Sequence, residues 1–382
     1  MSLVVFPVAE EDPAVVAANL ATAAGHQRVE EVWAVTAGPP EDALERAAAG
    51  ISEDHDTPVR VLPQARMGDL RPGKGDAVNT ALHASAERGF ERTHFYDSDI
   101  TNFDRSWIDG AERAADRGYP VVRHRFPRAA TDAMITWMVT RPGLALLFPG
   151  TILPRHAQPL GGEILISGEV VERLAADRSI ISRSDWGIDT MITYATATSG
   201  LPIYEHLVTG GKRHRLYGSL AELRTMVVEC LEAVASLRGR PPPPADAVFD
   251  SAPPAPVPDD LKRTVAFDFD SSFSVLIAEW ESPEADLARA LPHGIGERLA
   301  GVARPSDLAF LDAETWKHAL RFLLDGFTRD DGGWEALAFR LWLGRVLAYA
   351  TGPALEGYDH AISYLEETIR RYQSPADQDV EP

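Results

Sequence analysis

Apolar residues fall in short blocks through the first half of the chain. Residues 3–8 (LVVFPV), 29–36, 58–62, 92–96 and 119–126 are rich in Val, Phe, Trp and Tyr, the pattern of buried strands. Between these runs, apolar positions recur at helical spacing over 13–24, 41–51 and 74–88. The first helix opens at Asp12 or Pro13, since proline suits a first helical turn. The same spacing returns over 131–148, 185–198 and 219–237. Strands alternating with helices predict an α/β fold, a mostly parallel sheet covered by helices. Ligands of such sheets bind beyond the carboxyl ends of the strands.

The pattern changes after residue 237. Eight of the 23 residues from 238 to 260 are proline, four of them consecutive at 241–244, which predicts a stiff extended linker. Amphipathic helical patterns follow at 285–291, 313–324, 334–349 and 358–372. The expected division is an α/β domain over 1–240, a linker over 241–260, an α-helical domain over 261–373 and a polar, disordered tail over 374–382. The stripe of Phe339, Leu341, Trp342 and Val346 reads as core, with a homo-oligomer surface as its alternative use.

A net charge of −20 argues against nucleic acid or an anionic membrane as partner. No apolar run is long enough to span a bilayer. Residues 1–7 lack the basic flank of a signal peptide. The single cysteine, Cys230, precludes an internal disulfide and fits a helix core. A cytoplasmic enzyme is expected.

This acidity constrains how an anion would be held, and the chain has only four lysines: Lys74, Lys212, Lys262 and Lys317. Lys74 and Lys212 stand in glycine-bearing loops beside other cations. Residues 70–79 (LRPGKGDAVN) place two glycines around Lys74 at a helix start, where backbone N–H groups face outward. The spacing is not that of a Walker loop. Residues 210–217 (GGKRHRLY) cluster Lys212, Arg213, His214 and Arg215. Asp97-Ser98-Asp99 ends the strand at 92–96, and two carboxylates at that spacing suit Mg²⁺ or Mn²⁺. Such a cation would bind the diphosphate of a nucleotide sugar. A histidine such as His214 can complete the set.

Arg128 follows a strand end and precedes Thr131 and Asp132; its planar guanidinium suits a small carboxylate. Thr131 as an N-cap and Asp132 as a partner of the helix dipole are the simpler roles there. Residues 184–190 (SDWGIDT) put Asp185, a candidate N-cap, and Asp189 on one helix face. Trp186 suits either sugar stacking or core. Gly161, Gly162 and Glu163 bring backbone and a carboxylate toward the same pocket.

Together these segments resemble the mannosylglycerate synthase family, retaining glycosyltransferases of the GT-A nucleotide-sugar-binding fold. The likeness rests on LVVFP at 3–7, LRPGKGD at 70–76, HFYDSDI at 94–100, FPRAATDAMITWM at 126–138, QPLGGE at 158–163 and RSDWGIDT at 183–190. HRLYG at 214–218 and LRTMVVEC at 223–230 extend it, and the C-terminal region matches more loosely. The resemblance implies transfer of mannose from GDP-mannose to D-glycerate with a divalent metal, giving a compatible solute for osmotic stress. It implies Asp99 and His214 as metal ligands, with Asp97 beside them on the nucleotide side. Pro7, Arg66, Lys74, Ser98, Glu163 and Lys212 join Asp97 as donor-side candidates. Arg128, Asp132, Thr136, Asp189, Tyr217 and Met226 are the acceptor-side candidates, and Asp189, Arg128 and Lys74 are the catalytic ones.

One departure bears on the donor. The family pattern has a basic residue after Phe-Pro, whereas this chain continues Val8-Ala9-Glu10-Glu11. A cation is missing and Glu10 adds negative charge; Lys212, Arg213 and Arg66 are the candidates to compensate. In the D-x-D, Ser98 replaces the more usual alanine. The alternatives are a transferase using GDP-glucose or a UDP-sugar with another small hydroxy acid, a nucleotidyltransferase, and an inactive nucleotide-binding protein.

Overall fold

The computed structural model describes residues 1–329 and 332–374. The expected tail falls outside the described residues except for Ser374. Among the described residues, eight strands form one sheet: β1 (Ser2–Val8), β2 (Val29–Thr36), β3 (Val59–Pro63), β4 (Arg92–Phe95), β5 (Val121–Arg125), β6 (Ile164–Ser167), β7 (Ile203–Leu207) and β8 (Phe249–Ser251). Their order is β3-β2-β1-β4-β6-β5-β7-β8. β6 runs antiparallel to both β4 and β5, and the other pairings are parallel. The five strands read from the apolar runs are all present.

Two compact units emerge. The first comprises residues 1–127, 160–215 and 243–256, and the second comprises 128–159, 216–242 and the chain from 257 on. The first holds the whole sheet. Its core includes Val4, Phe6, Leu20, Val32, Tyr96, Phe103 and Trp107, because β1 and β4 bury nearly every side chain.

In the second unit, helix Gly332–Thr351 packs on Ser282–Arg289, Phe269–Leu276 and Arg224–Ala235. Phe339, Leu341, Trp342 and Val346 are all buried, as the core reading of that stripe requires. Cys230 is buried as well. No helix among the described residues is long and apolar enough to cross a membrane.

Three differences from the sequence pattern matter. First, the proline-rich segment contains β8, which pairs with β7 through Ile203 and Phe249. Residues 216–242 group with the C-terminal helices rather than with the sheet. Second, residues 131–148 do not form one helix. A π-helix spans Thr136–Thr140 and an α-helix spans Arg141–Leu147, with Pro142 unable to supply an N–H to a regular ladder. Third, helix Ile188–Thr198 begins after Asp185, whose Oδ1 accepts from Gly187 N at 3.0 Å.

Candidate active site

The first unit draws five charged side chains into one alternating row: Asp189, Lys74, Asp97, Lys212 and Glu163. Lys74 Nζ donates to Asp97 Oδ1 at 2.7 Å and to Asp189 Oδ2 at 2.9 Å. Lys212 Nζ donates to Asp97 Oδ2 and to Glu163 Oε1, both at 2.5 Å. Asp97 follows β4, Lys74 opens helix Lys74–Arg88, Asp189 lies in the first turn of Ile188–Thr198, and Glu163 immediately precedes β6.

Burial alone would neutralise these groups. For Lys74 it is outweighed by Asp189 and Asp97, and the ammonium pKa is raised. For Asp97 it is outweighed by Lys212 and Lys74, and the carboxyl falls well below its ordinary range. Burial prevails at Asp189 and Glu163, whose pKa values rise although Lys74 and Lys212 respectively oppose it.

Small residues make this row possible. A Cβ on Gly162 would lie 2.5 Å from Lys74 Nζ and 2.6 Å from Asp97 Oδ1. A Cβ on Gly75 would lie 2.2 Å from Arg183 O. Only glycine lets the helix start meet residues 183–184 so closely, and Asp76 N there donates to Ser184 O at 3.2 Å. A cavity beside the row is lined by Pro7, Lys74, Asp97, Arg123, Gly162 and Asp189, among others.

Apart from Ser98, the supports are side chains that sequence reading did not single out as site residues. Asn19 Nδ2 donates to Ser98 O and Ile100 O at 3.0 and 2.9 Å, fixing the D-x-D turn. Ser98 Oγ donates to Pro7 O at 2.6 Å. Asn79 Nδ2 donates to Ile180 O at 3.0 Å and Arg183 O at 3.2 Å. Arg123 is buried, with Nη2 on Gly161 O at 2.9 Å.

Beneath Asp97, the Tyr96 hydroxyl sits 3.0 Å from His94 Nδ1 and 3.2 Å from His124 Nε2. Burial lowers both histidine pKa values. An asparagine inside a helical pattern, as at Asn19 and Asn79, is the signal that would have found the first supports, since buried amides need partners.

Several sequence candidates take specific positions. Arg66 Nη1 pairs with Asp76 Oδ2 at 2.7 Å, and Asp76 Oδ1 accepts from Met67 N and Gly68 N. Arg66 thus closes its own loop. Trp186 lies under Lys74, 5.7 Å from Nζ to the ring centre. Glu10 is exposed. It is Glu11 whose carboxyl is raised, by burial first and then by Asp99 and Asp97, while the Ala9 N–H lowers it.

His214 and Asp99 stand on segments stitched together. Thr101 N donates to Arg213 O, Asn102 Nδ2 to Gly211 O, and Arg213 N to Asn102 Oδ1, each at 2.9 Å. His214 Nδ1 lies 2.8 Å from Arg215 O. Among the described residues, no three His, Cys, Asp or Glu side chains gather as a metal site. A hard carboxylate and an imidazole on fastened segments fit a divalent cation in type. Asp97 fits less well, because both its oxygens accept from lysines.

In the second unit, Arg128 Nη1 pairs with Asp132 Oδ2 at 2.9 Å, and Nη2 lies 3.3 Å from Gln158 Oε1. Thr131 is not an N-cap: its hydroxyl accepts from Ala266 N at 2.9 Å. Ala266 O in turn accepts from Tyr217 N at 3.3 Å. Thr136 is buried in the π-helix, and Met226 is half-buried in helix Arg224–Ala235. The structure therefore puts Asp189 in the unit of the donor-side candidates. Arg128, Asp132, Thr136, Tyr217 and Met226 fall in the other unit.

The family model for the mannosylglycerate synthase GT domain matches residues 2–236, and that for the mannosylglycerate synthase C-terminal domain matches 261–369. The chain belongs to the mannosylglycerate synthase family. A mannosylglycerate synthase of Rhodothermus marinus is 45% identical over 383 aligned positions, covering 98% of this chain and 95% of that protein. One of Selaginella moellendorffii is 40% identical over 374, covering 97% and 89%.

Among solved structures, glucosyl-3-phosphoglycerate synthase of Mycobacterium tuberculosis, in complex with Mn²⁺, UDP-glucose and phosphoglyceric acid, aligns with a TM-score of 0.50. It is 22% identical, over 63% of this chain and 80% of that one, a likeness of fold. The sheet is that of a GT-A glycosyltransferase, and this family member is a glycosyltransferase.

Proposed function

We propose that the chain transfers mannose from GDP-mannose to the hydroxyl of D-glycerate, with retention and with Mn²⁺ or Mg²⁺. The observation that carries this reading is the alternating row from Asp189 to Glu163 at the D-x-D, in a chain whose relatives are mannosylglycerate synthases.

Lys74 and Lys212 are the cations for the donor diphosphate. In an otherwise acidic chain, both are brought to one point by the Asp97 carboxylate. Asp99 and His214 would hold the metal, which when bound neutralises the departing diphosphate as a Lewis acid. The fold neighbour named above was solved with Mn²⁺. Arg128, oriented by Asp132, binds the acceptor carboxylate through its two-pronged guanidinium. Thr136, Tyr217 and Met226 complete the acceptor side. Asp189 is the carboxylate for the base or nucleophile role.

The test is product formation from GDP-mannose and D-glycerate with Mn²⁺, repeated with EDTA and with GDP-glucose and UDP-sugars as competitors. Mannosylglycerate lost on chelation supports the reading. Pyrophosphate release, or no product while GDP still binds, overturns it. Direct Mn²⁺ titration by electron paramagnetic resonance should show weakened binding for Asp99→Ala and His214→Ala, independent of turnover.

A further inference from the structure

Residues 128–142 have a backbone that cannot satisfy itself. Residues 128–133 are not helical, and Ala133 holds φ +55°, left-handed for a residue with a side chain. Such strain persists only where surroundings enforce it. The π-helix Thr136–Thr140 follows. Pro142 lacks the N–H that would reach Met138 O in a regular α-helix.

Four aromatic side chains of the C-terminal helices answer these carbonyls. Tyr358 Oη donates to Arg128 O at 3.0 Å, and Tyr349 Oη to Ala130 O at 2.9 Å. Trp342 Nε1 donates to Met134 O at 3.3 Å, and Trp316 Nε1 to Met138 O at 2.7 Å. They come from three helices, Ala313–Gly326, Gly332–Thr351 and Tyr358–Tyr372. Trp316, Trp342 and Tyr349 are almost fully buried. Arg141 adds a two-pronged pair to Glu366 at 2.9 and 3.0 Å.

A buried core needs partners for its polar ring atoms wherever they fall. Here all four fall on one eleven-residue stretch, the one bearing Arg128, Asp132 and Thr136.

We infer that the C-terminal helices clamp the main chain of residues 128–138, and that Tyr358 and Tyr349 are positioning residues for acceptor binding. This rests on the reading that Arg128 binds the acceptor carboxylate. Tyr358 holds the carbonyl of Arg128 itself, so loss of its hydroxyl frees the backbone from which the guanidinium is aimed. A displacement near 1 Å at a binding group lowers productive binding by about one to two orders of magnitude.

The test compares Tyr358→Phe and Tyr349→Phe with Arg128→Lys, in the full chain. KM is measured for D-glycerate and for GDP-mannose, with amide hydrogen exchange over 128–138. Tyr358→Phe should raise the glycerate KM about tenfold and leave the GDP-mannose KM within about twofold, with faster exchange confined to the stretch. A merely destabilised enzyme would lose active fraction and kcat without that split.

Tyr349→Phe should move the same way. Unchanged glycerate KM and exchange in both Phe variants, with KM raised in Arg128→Lys, overturns the clamp while the acceptor reading stands. Unchanged glycerate KM in Arg128→Lys overturns the acceptor reading, and the positioning role with it.

Discussion

Lys74 Nζ stands 2.7 Å from Asp97 Oδ1, joining residues 23 apart in sequence, and the same ammonium reaches Asp189, 115 residues away. One side chain therefore fixes the D-x-D turn to the first turn of helix Ile188–Thr198. Removing it leaves the buried Asp189 carboxylate without its ion-pair partner, and Asp97 with Lys212 alone. Lys74→Ala should cost about 3 kcal/mol of stability in urea unfolding. It should also lower kcat/KM by at least about a hundredfold. A variant with wild-type turnover would remove Lys74 from the site.

Gly162 separates activity from stability. Its absent Cβ leaves room for Lys74 Nζ and Asp97 Oδ1, which are ends of side chains and can swing aside. Gly162→Ala should change stability by no more than about 1 kcal/mol, because no backbone need move. Turnover should fall by at least about tenfold, because the atoms that swing are those of the charged row. Thermal melting beside steady-state kinetics decides this.

Acid stability should depend on Glu112. Its Oε1 lies 2.9 Å from His94 Nε2 and accepts from Ser2 Oγ at 2.5 Å, and its Oε2 pairs with Arg92 and with Arg28. Burial raises this carboxyl, but the bonds from His94, Ser2 and Arg92 outweigh it and the pKa falls below 4.5. The unfolded chain thus binds the proton first as pH drops, so the contribution is complete above 4.5 and fades below it. Glu112→Gln should destabilise the protein by about 1–3 kcal/mol near pH 7. The gap should narrow as pH falls below 4.5. A gap independent of pH would contradict this.

The alternation of elements and the available chemistry can be read along the chain. Buried parallel strands must be apolar along their length, so β1, β2 and β4 stand out as runs. The D-x-D, Lys74 and Lys212 were legible because a chain with only four lysines placed two in glycine loops. Tertiary structure decided the short strands. β6 has four residues and β8 has three; strands so short draw their stability from neighbouring strands rather than from a pattern of their own, and β8 arises inside a proline-rich segment.

Tertiary structure also decided the partners. Asp97 looks in sequence like half of a metal site, yet both its oxygens accept from lysines. Arg66 looks like a donor cation, yet it closes a loop onto Asp76. The helical spacing over 131–148 conceals a π-helix, and the carbonyls of Met134 and Met138 are met by Trp342 and Trp316, 208 and 178 positions away. Apolar periodicity is local and can be read along the chain, whereas the partner of a buried charge or carbonyl is chosen by the packing of distant segments.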